Sequence, residues 1–408
     1  MYLFGLVLEG GGAKGAYQIG AWKALRELGV DIKGVAGTSV GALNGAMIVQ
    51  GDFEKTYDTW YNISFDKILN IDDSEIAAIK NMEMFPENFF HVVRTIRELF
   101  LERGLDVTPL RELLNGNICE DKVRYSGKDF GIVTVALTDL KPVELYIEDI
   151  PEGKLVDYLM ASANLPIFKM DKIDGKLFLD GGFFDNFPIK LLMAKGYKDI
   201  IGIRLYGIGR TRRINKDKLN LITIEPSEDL GGTLDFSSER ARRNLNLGYY
   251  DTLSVINKYS GRFYYIIANH PEDYYANIFF NLSRQTVLKL ANIMGLPEKM
   301  PYRRLLFEKI IPRLSEILGL GSKASYKDIF IGILEKAAVL DGIEKFKIYD
   351  FDEFLYTVIS KHQKTSEHIS DKIPRLLKKS DLVLKTVKEQ LSPEIIDVFI
   401  DELKIRFN

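Results

Sequence analysis

The chain has 408 residues, enough for a large buried core, and the usual span of about 100 to 200 residues per domain points to two domains. Its 55 basic and 57 acidic side chains nearly cancel to a net charge of −2, which excludes the global field that draws a protein to nucleic acid. The single cysteine, Cys119, excludes an internal disulfide and a cysteine metal cluster, fits a reducing compartment and is expected to be a buried bystander, while four scattered histidines suggest no metal site.

The first residues, MYLFGLVLEGGG, lack a basic leader and a small-residue cleavage site, so they read as a first strand rather than a signal peptide. No run of about 18 apolar residues occurs, so no transmembrane segment is expected, and a cytoplasmic placement with peripheral membrane contact fits. Residues 2–9 form an apolar run that glycines end; 16–28 carry Ala16, Ile19, Ala24, Leu25 and Leu28 on a helical stripe closed by Gly29. A second strand, 32–36, precedes the small-residue helix VGALNGAMIVQG, which ends at Gly51. Further strands are predicted at 131–138, 143–147, 176–179, 200–205 and 221–224, alternating with helices at 155–163 and 189–195. That order implies an α/β fold, a mostly parallel sheet between helices.

Residues 52–128 read as a helical, aromatic-rich insertion, whose MEMFPENFFHVV at 82–93 is a candidate acyl-pocket wall or lid, or ordinary helical core. Beyond about 234 strand signals nearly vanish, apart from RFYYIIA at 262–268, and helical spacing runs through 276–294, 302–318, 326–341, 350–361 and 370–405. Composition therefore divides the chain into an α/β part, 1–226, and a mostly helical part, 227–408, whose role is unassigned.

LEGGGAKGAYQIGAW, residues 8–22, sets three glycines between a strand and a helix. As a nucleotide phosphate loop it has Gly10 and Gly15 at the right spacing, but Ala16 stands where lysine must follow. As a dinucleotide fingerprint it has Gly10, Gly12 and Gly15, but the second strand ends in Val35, Ala36 and Gly37, with no acid for the ribose. That strand leads instead into GTSVG, residues 37–41. A serine at so sharp a strand-to-helix turn needs glycine on both sides, here Gly37 and Gly41, and holds its hydroxyl clear of the sheet. Ser39 is then a nucleophile, and the neighbouring amides of Gly11, Gly12 and Ala13 are candidate donors to the oxyanion its attack would create. The anion awaited by the glycine turn is transient. No cofactor and no metal are expected.

A serine hydrolase ordinarily adds a histidine, but His91, His270, His362 and His368 lack suitable surroundings. KLFLDGGFFDNFP, 176–188, instead delivers Asp180 at the end of a strand into the turn formed by Gly181 and Gly182, on the sheet edge that carries Ser39. A carboxylate there can act as base if the site raises its pKa.

GGGAKG, GTSVGALNG, ASANLPIF at 161–168, DGG and DNFP at 185–188 occur in an order that resembles the patatin-like phospholipase family, over about residues 5–205. The resemblance implies a patatin-like three-layer fold in which a Ser39–Asp180 dyad hydrolyses acyl esters of phospholipids or related lipids. It also implies an oxyanion hole at the glycine turn, Gly10 to Ala13, with Lys14 and Gly15 completing the motif. Lys14 either orients the loop, meets a head-group phosphate or is simply solvated. RLYGIGRTRRINKDKLN, 204–220, gathers Arg204, Arg210, Arg212, Arg213, Lys216 and Lys218 against one acid, Asp217. Arg210, Arg212 and Arg213 are candidate lipid-docking residues; a solvated loop paired with acids is the alternative. The competing functional class is a lipid-binding or scaffold protein on a hydrolase-like fold.

Overall fold

The computed structural model describes residues 4–71, 104–137, 141–169, 172–215, 217, 219–296, 299–321, 323–364 and 384–407, with side chains of the last stretch from 393 onward. The 82–93 segment, His91, Lys216, Lys218 and His368 lie outside the described residues.

Seven strands form the main sheet: β1 (Phe4–Leu8), β2 (Ile32–Thr38), β3 (Asp129–Ala136), β4 (Lys141–Tyr146), β5 (Phe178–Asp180), β6 (Asp199–Ile203) and β7 (Asn220–Ile224). Their order is β4-β3-β2-β1-β6-β7, with β5 also pairing to β3. β1, β2, β3, β6 and β7 are parallel; β4 and β5 run antiparallel to β3. Both faces are covered, so the central strands are apolar at nearly every position rather than alternating. On one face Leu8, Val35 and Phe130 meet Gly45 of helix α2 (Val40–Gln50), where the missing side chain lets the helix lie close to the sheet. On the other face Val7, Ala36 and Val133 pack with Ile189, Leu191 and Leu192 of helix α7. The helices before it are α1 (Ala16–Glu27), α3 (Phe53–Tyr61), α4 (Thr108–Asn117), α5 (Glu120–Arg124) and α6 (Leu155–Ser162); α7 itself is Ile189–Ala194.

The chain separates into two compact units, Met1–Ile256 and Asn257–Asn408. Within the first unit, helix α8 (Ser238–Asn257) packs against α1. A Cβ on Gly20 would lie 1.9 Å from Leu245 O and one on Gly248 would lie 1.9 Å from Tyr17 O, so the two backbones touch through paired glycines. Tyr17 Oη also donates to Asp251 Oδ2 at 3.0 Å.

The second unit has its own core, with Ile266, Phe279, Phe330, Phe354 and Phe399 buried together. A parallel pair, β8 (Tyr265–Ile267) and β9 (Ile348–Asp350), is its only sheet among the described residues. The periodic stretch 276–294 is two helices, Glu272–Phe280 and Arg284–Ile293, separated where the Ser283 hydroxyl accepts from Thr286 N as an N-cap. Buried Glu335 holds the 262–264 turn, its Oε1 accepting from the amides of Arg262, Phe263 and Tyr264 at 2.7 to 2.8 Å.

Cys119 is exposed, which corrects the expectation of a buried thiol. It sits in the two-residue connection between α4 and α5, where its amide donates to Gln50 Oε1 at 2.9 Å and the side chain is left toward solvent. No helix among the described residues is long and apolar enough to cross a membrane.

Candidate active site

Ser39 is the residue between β2 and α2, and its backbone takes φ 56° and ψ −130°, a conformation non-glycine residues rarely adopt. Its neighbours explain how the turn closes. A Cβ on Gly37 would lie 2.1 Å from Gly41 O, and one on Gly41 would lie 2.3 Å from Leu8 O, so glycine is forced at both positions. The Ser39 carbonyl starts α2 by accepting from Ala42 N at 2.8 Å and Leu43 N at 3.2 Å, and the hydroxyl therefore stands at a helix N-terminus. The Ser39 amide is held separately, donating to Ser162 Oγ at 3.0 Å, which itself donates to Val133 O at 2.6 Å.

Asp180 reaches the serine by a route that strand spacing alone did not reveal. Thr38, the last residue of β2, pairs with Val133, and Asp180, the last residue of antiparallel β5, pairs with Thr134, the next residue of β3. The two strands thus lie along the same edge of β3 and run toward each other, so their carboxyl ends meet. Gly181 allows the meeting, since a Cβ there would lie 2.2 Å from Val133 O. The ASANLPIF block ties the junction together: Asn164 O accepts from Asp180 N at 2.8 Å, and Asn164 Nδ2 donates to Phe178 O at 2.8 Å.

The Asp180 carboxylate is 4% exposed, and burial pushes its pKa up to about 6, against the smaller opposing effects of the Ser39 hydroxyl and the Gly182 amide. Oδ1 accepts from Gly182 N at 2.7 Å. Oδ2 has no partner at full hydrogen-bond geometry among the described residues, so the Ser39 interaction is a loose approach that leaves an acceptor free for a proton.

The glycine turn divides by where its amides go. Gly10 N donates to Asn186 O at 3.1 Å and Ala13 N to Thr233 O at 2.8 Å, so both are engaged. No acceptor among the described residues takes the amides of Gly11 or Gly12, and these two residues line the cavity that holds Ser39 and Asp180. That cavity is about 340 Å³, and Leu165, Phe183, Ile208 and Arg210 also contribute to its walls. Gly15 does not line it; a Cβ there would strike Val40 and Trp60, so this glycine serves packing between α1, α2 and α3. Lys14 is half-buried and absent from the described walls.

A second, smaller cavity of about 70 Å³ begins at the same serine and runs into apolar surroundings. α2 supplies Leu43 and Met47, α3 supplies Trp60, α4 supplies Leu110 and Leu114, and Leu234 and Phe236 close it. The insertion thus contributes apolar walls from its two described flanks. Trp60 is fixed by donating to Asn44 Oδ1 at 2.8 Å, and Asn44 Nδ2 donates in turn to Gly15 O and Gln18 Oε1.

The basic loop is brought to the site unevenly. Arg204 pairs with buried Glu9 at 3.0 Å, and Arg212 pairs with Glu144 at 2.7 Å, while Arg213 is exposed away from the described cavity walls. Arg210 lines the cavity. Of the histidines, His270 and His362 belong to the second unit; His362 is buried between Asp341 Oδ2 and Asp397 Oδ1, each at 2.9 Å. Ser162, Asn164 and Asn186 carry no role legible from the sequence, although all three fall within the blocks that resemble the family. Asn186 Nδ2 reaches Gly10 O at 3.2 Å and so joins the DNFP segment to the glycine turn.

Residues 6–193 match the model of the family described as patatin-like phospholipase, and this stretch of the chain belongs to that family. Over 208 residues the chain is 28% identical to patatin-like phospholipase domain-containing protein 7 of Rattus norvegicus, covering 48% of this chain and 13% of that protein. Over 209 residues it is 27% identical to neuropathy target esterase sws of Drosophila melanogaster, covering 49% of this chain and 12% of that protein. The matching region therefore spans only about an eighth of these relatives. Among solved structures, VipD from Legionella pneumophila is similar over 98% of this chain and 92% of that one, with 15% identity and a TM-score of 0.40.

Proposed function

We propose that the protein is a lipid acyl hydrolase that cleaves carboxylic ester bonds of phospholipids or related lipids through Ser39 and Asp180. The observation that carries this reading is the convergence of β2 and β5 on one edge of β3, which sets a serine and a carboxylate with raised pKa in one cavity. Asp180 takes the Ser39 proton as Oγ bonds to the ester carbon. The carbonyl oxygen becomes an oxyanion, which the free amides of Gly11 and Gly12 receive. As the C–O bond to the alcohol breaks, the proton on Asp180 passes to the leaving oxygen, giving an acyl-serine. Water then attacks the acyl carbon, losing a proton to Asp180, and Ser39 leaves with that proton as the fatty acid is released. The apolar cavity takes the acyl chain, and membership of residues 6–193 in the patatin-like phospholipase family supports the substrate class.

The test is labelling by a fluorophosphonate together with turnover of a short-chain p-nitrophenyl ester. Wild type is expected to do both and Ser39→Ala neither. Wild type inert in both assays, or labelling that survives in Ser39→Ala, would overturn the proposal.

A further inference from the structure

Two cavities meet at Ser39, and they differ in chemistry. One is narrow and apolar, lined by side chains such as Met47, Trp60 and Leu114. The wider one has Arg210 as the one cation among its described walls, with Asp180 as its one acid. An ester held at Ser39 with its acyl chain in the apolar space must direct its alcohol portion into the wider space, toward Arg210.

The position of Arg210 is built by the backbone. Its amide donates to Gly182 O at 2.8 Å, and its carbonyl accepts from Asn186 N at 2.6 Å, so residue 210 is fixed to the turn that carries Asp180. The preceding loop is pressed onto the glycine turn, since a Cβ on Gly207 would lie 1.9 Å from Gly10 O and one on Gly209 would lie 2.9 Å from Gly182 O. Glu9 secures the start of the loop by accepting from the amides of Leu205 and Tyr206 at 2.6 and 2.9 Å. The side chain itself is exposed and makes no ion pair among the described residues, whereas Arg204 and Arg212 on either side are paired with Glu9 and Glu144. Acids from β4 and from the end of β1 thus neutralise Arg204 and Arg212, and one guanidinium is left without an ion pair at the cavity.

We infer that Arg210 is a specificity-determining residue that binds a phosphate on the alcohol side of the scissile ester, so that the preferred substrates are phosphate-bearing acyl lipids rather than neutral acylglycerols. The guanidinium matches a phosphate with two parallel hydrogen bonds, and it gains nothing from a bare glycerol hydroxyl group to the same degree. Residue 210 lies outside the 6–193 stretch that matches the family model. The inference rests on the hydrolase reading, and the test separates the two.

The kcat/KM of wild type, Arg210→Gln and Arg210→Lys is measured on lysophosphatidylglycerol and on monoacylglycerol of the same acyl chain, both as monomers below their critical micelle concentrations. Wild type is expected to favour the phosphate-bearing substrate. In Arg210→Gln that preference falls about tenfold to a hundredfold, the size of one charged hydrogen bond, and it falls through KM. Arg210→Lys restores part of it. Inorganic phosphate competes with the neutral substrate in wild type and much less in Arg210→Gln. An unchanged preference in the Gln variant, an equal loss on both substrates, or phosphate inhibition without lysophospholipid preference overturns the inference while leaving the hydrolase intact. So does a defect confined to binding anionic vesicles, which makes Arg210 a membrane contact instead. Wild type inactive on every ester, and unlabelled by fluorophosphonate, is instead the failure of the hydrolase reading.

Discussion

A carboxylate takes a serine proton only if its own proton affinity is raised, and burial does this for Asp180, lifting its pKa from 3.8 to about 6. The consequence for activity is that kcat/KM on a soluble ester should rise as pH passes through about 6 and level off above it, because only the ionised carboxylate is a base. A profile that is flat from about pH 5 to 8 would remove Asp180 from that role. The same shift carries a stability cost with a definite sign. The folded state holds the proton more tightly than the unfolded chain, so the stabilising contribution is complete below pH 3.8 and is lost as pH rises through about 6. The ionised carboxylate thus disfavours the folded state at neutral pH by about 3 kcal/mol. Asp180→Asn should therefore melt higher than wild type at about pH 8, with the difference shrinking toward about pH 4, while turnover falls by orders of magnitude. Because Ser39 and Asp180 act as a unit, Ser39→Ala combined with Asp180→Asn should be little worse than either alone.

At the level of elements, the site depends on backbones that approach too closely for side chains. The glycine turn allows chemistry and packing to be separated. Gly12 has φ +57°, and a Cβ there would lie 2.2 Å from Thr233 O, so Gly12→Ala strains the backbone and should destabilise the fold by about 1 to 3 kcal/mol. Gly11 would meet only the Leu205 side chain, at 3.0 Å. Gly11→Ala should keep the fold and shift the adjacent donors by a few tenths of an ångström, lowering kcat by about tenfold to a hundredfold with KM little changed. Thermal melts and steady-state kinetics on the two variants check this contrast. The apolar cavity offers a second test of the same kind. Ala163, at the end of α6, lines it, and Ala163→Leu fills part of the space beside Ser39. The ratio of octanoyl to acetyl ester turnover should fall by at least about tenfold, roughly the effect of losing two or three methylenes from the pocket.

Across the molecule, each of the two units has its own packed core, and each should answer to mutations within it. Glu335 satisfies three amides of the 262–264 turn from inside the second unit. Glu335→Ala leaves those donors buried or half-buried without an acceptor and should destabilise that unit by about 3 kcal/mol. Calorimetry should show the loss in the transition of residues 257–408, with fluorophosphonate labelling of Ser39 retained below it. A matching fall in Ser39 labelling at low temperature would show that the two units do not respond separately.

Local backbone demands make one part of the site readable from the chain alone. Gly37 and Gly41 around Ser39, Gly181 after Asp180 and Gly12 in the glycine turn are legible because each answers a close backbone contact that only a missing side chain permits. The parallel strands and their helices are equally readable, since burial on both faces writes continuous apolar runs into a short window of chain. The remainder depends on partners far apart in sequence, which no local window contains. The direction of β5 is set by its pairing with β3, and that direction brings Asp180 end-on to Ser39. The engagement of Gly10 by Asn186 and of Ala13 by Thr233 determines which amides stay free. The exposure of Cys119 comes from its place between two helices, and the packing of α8 on α1 comes from glycines on both that let the two backbones touch. In the basic loop, Glu9 and Glu144 take two arginines, and of Arg210 and Arg213, which have no ion pair among the described residues, Arg210 lines the cavity. Charge composition counts such residues, but only three-dimensional pairing decides which of them remains available to a substrate.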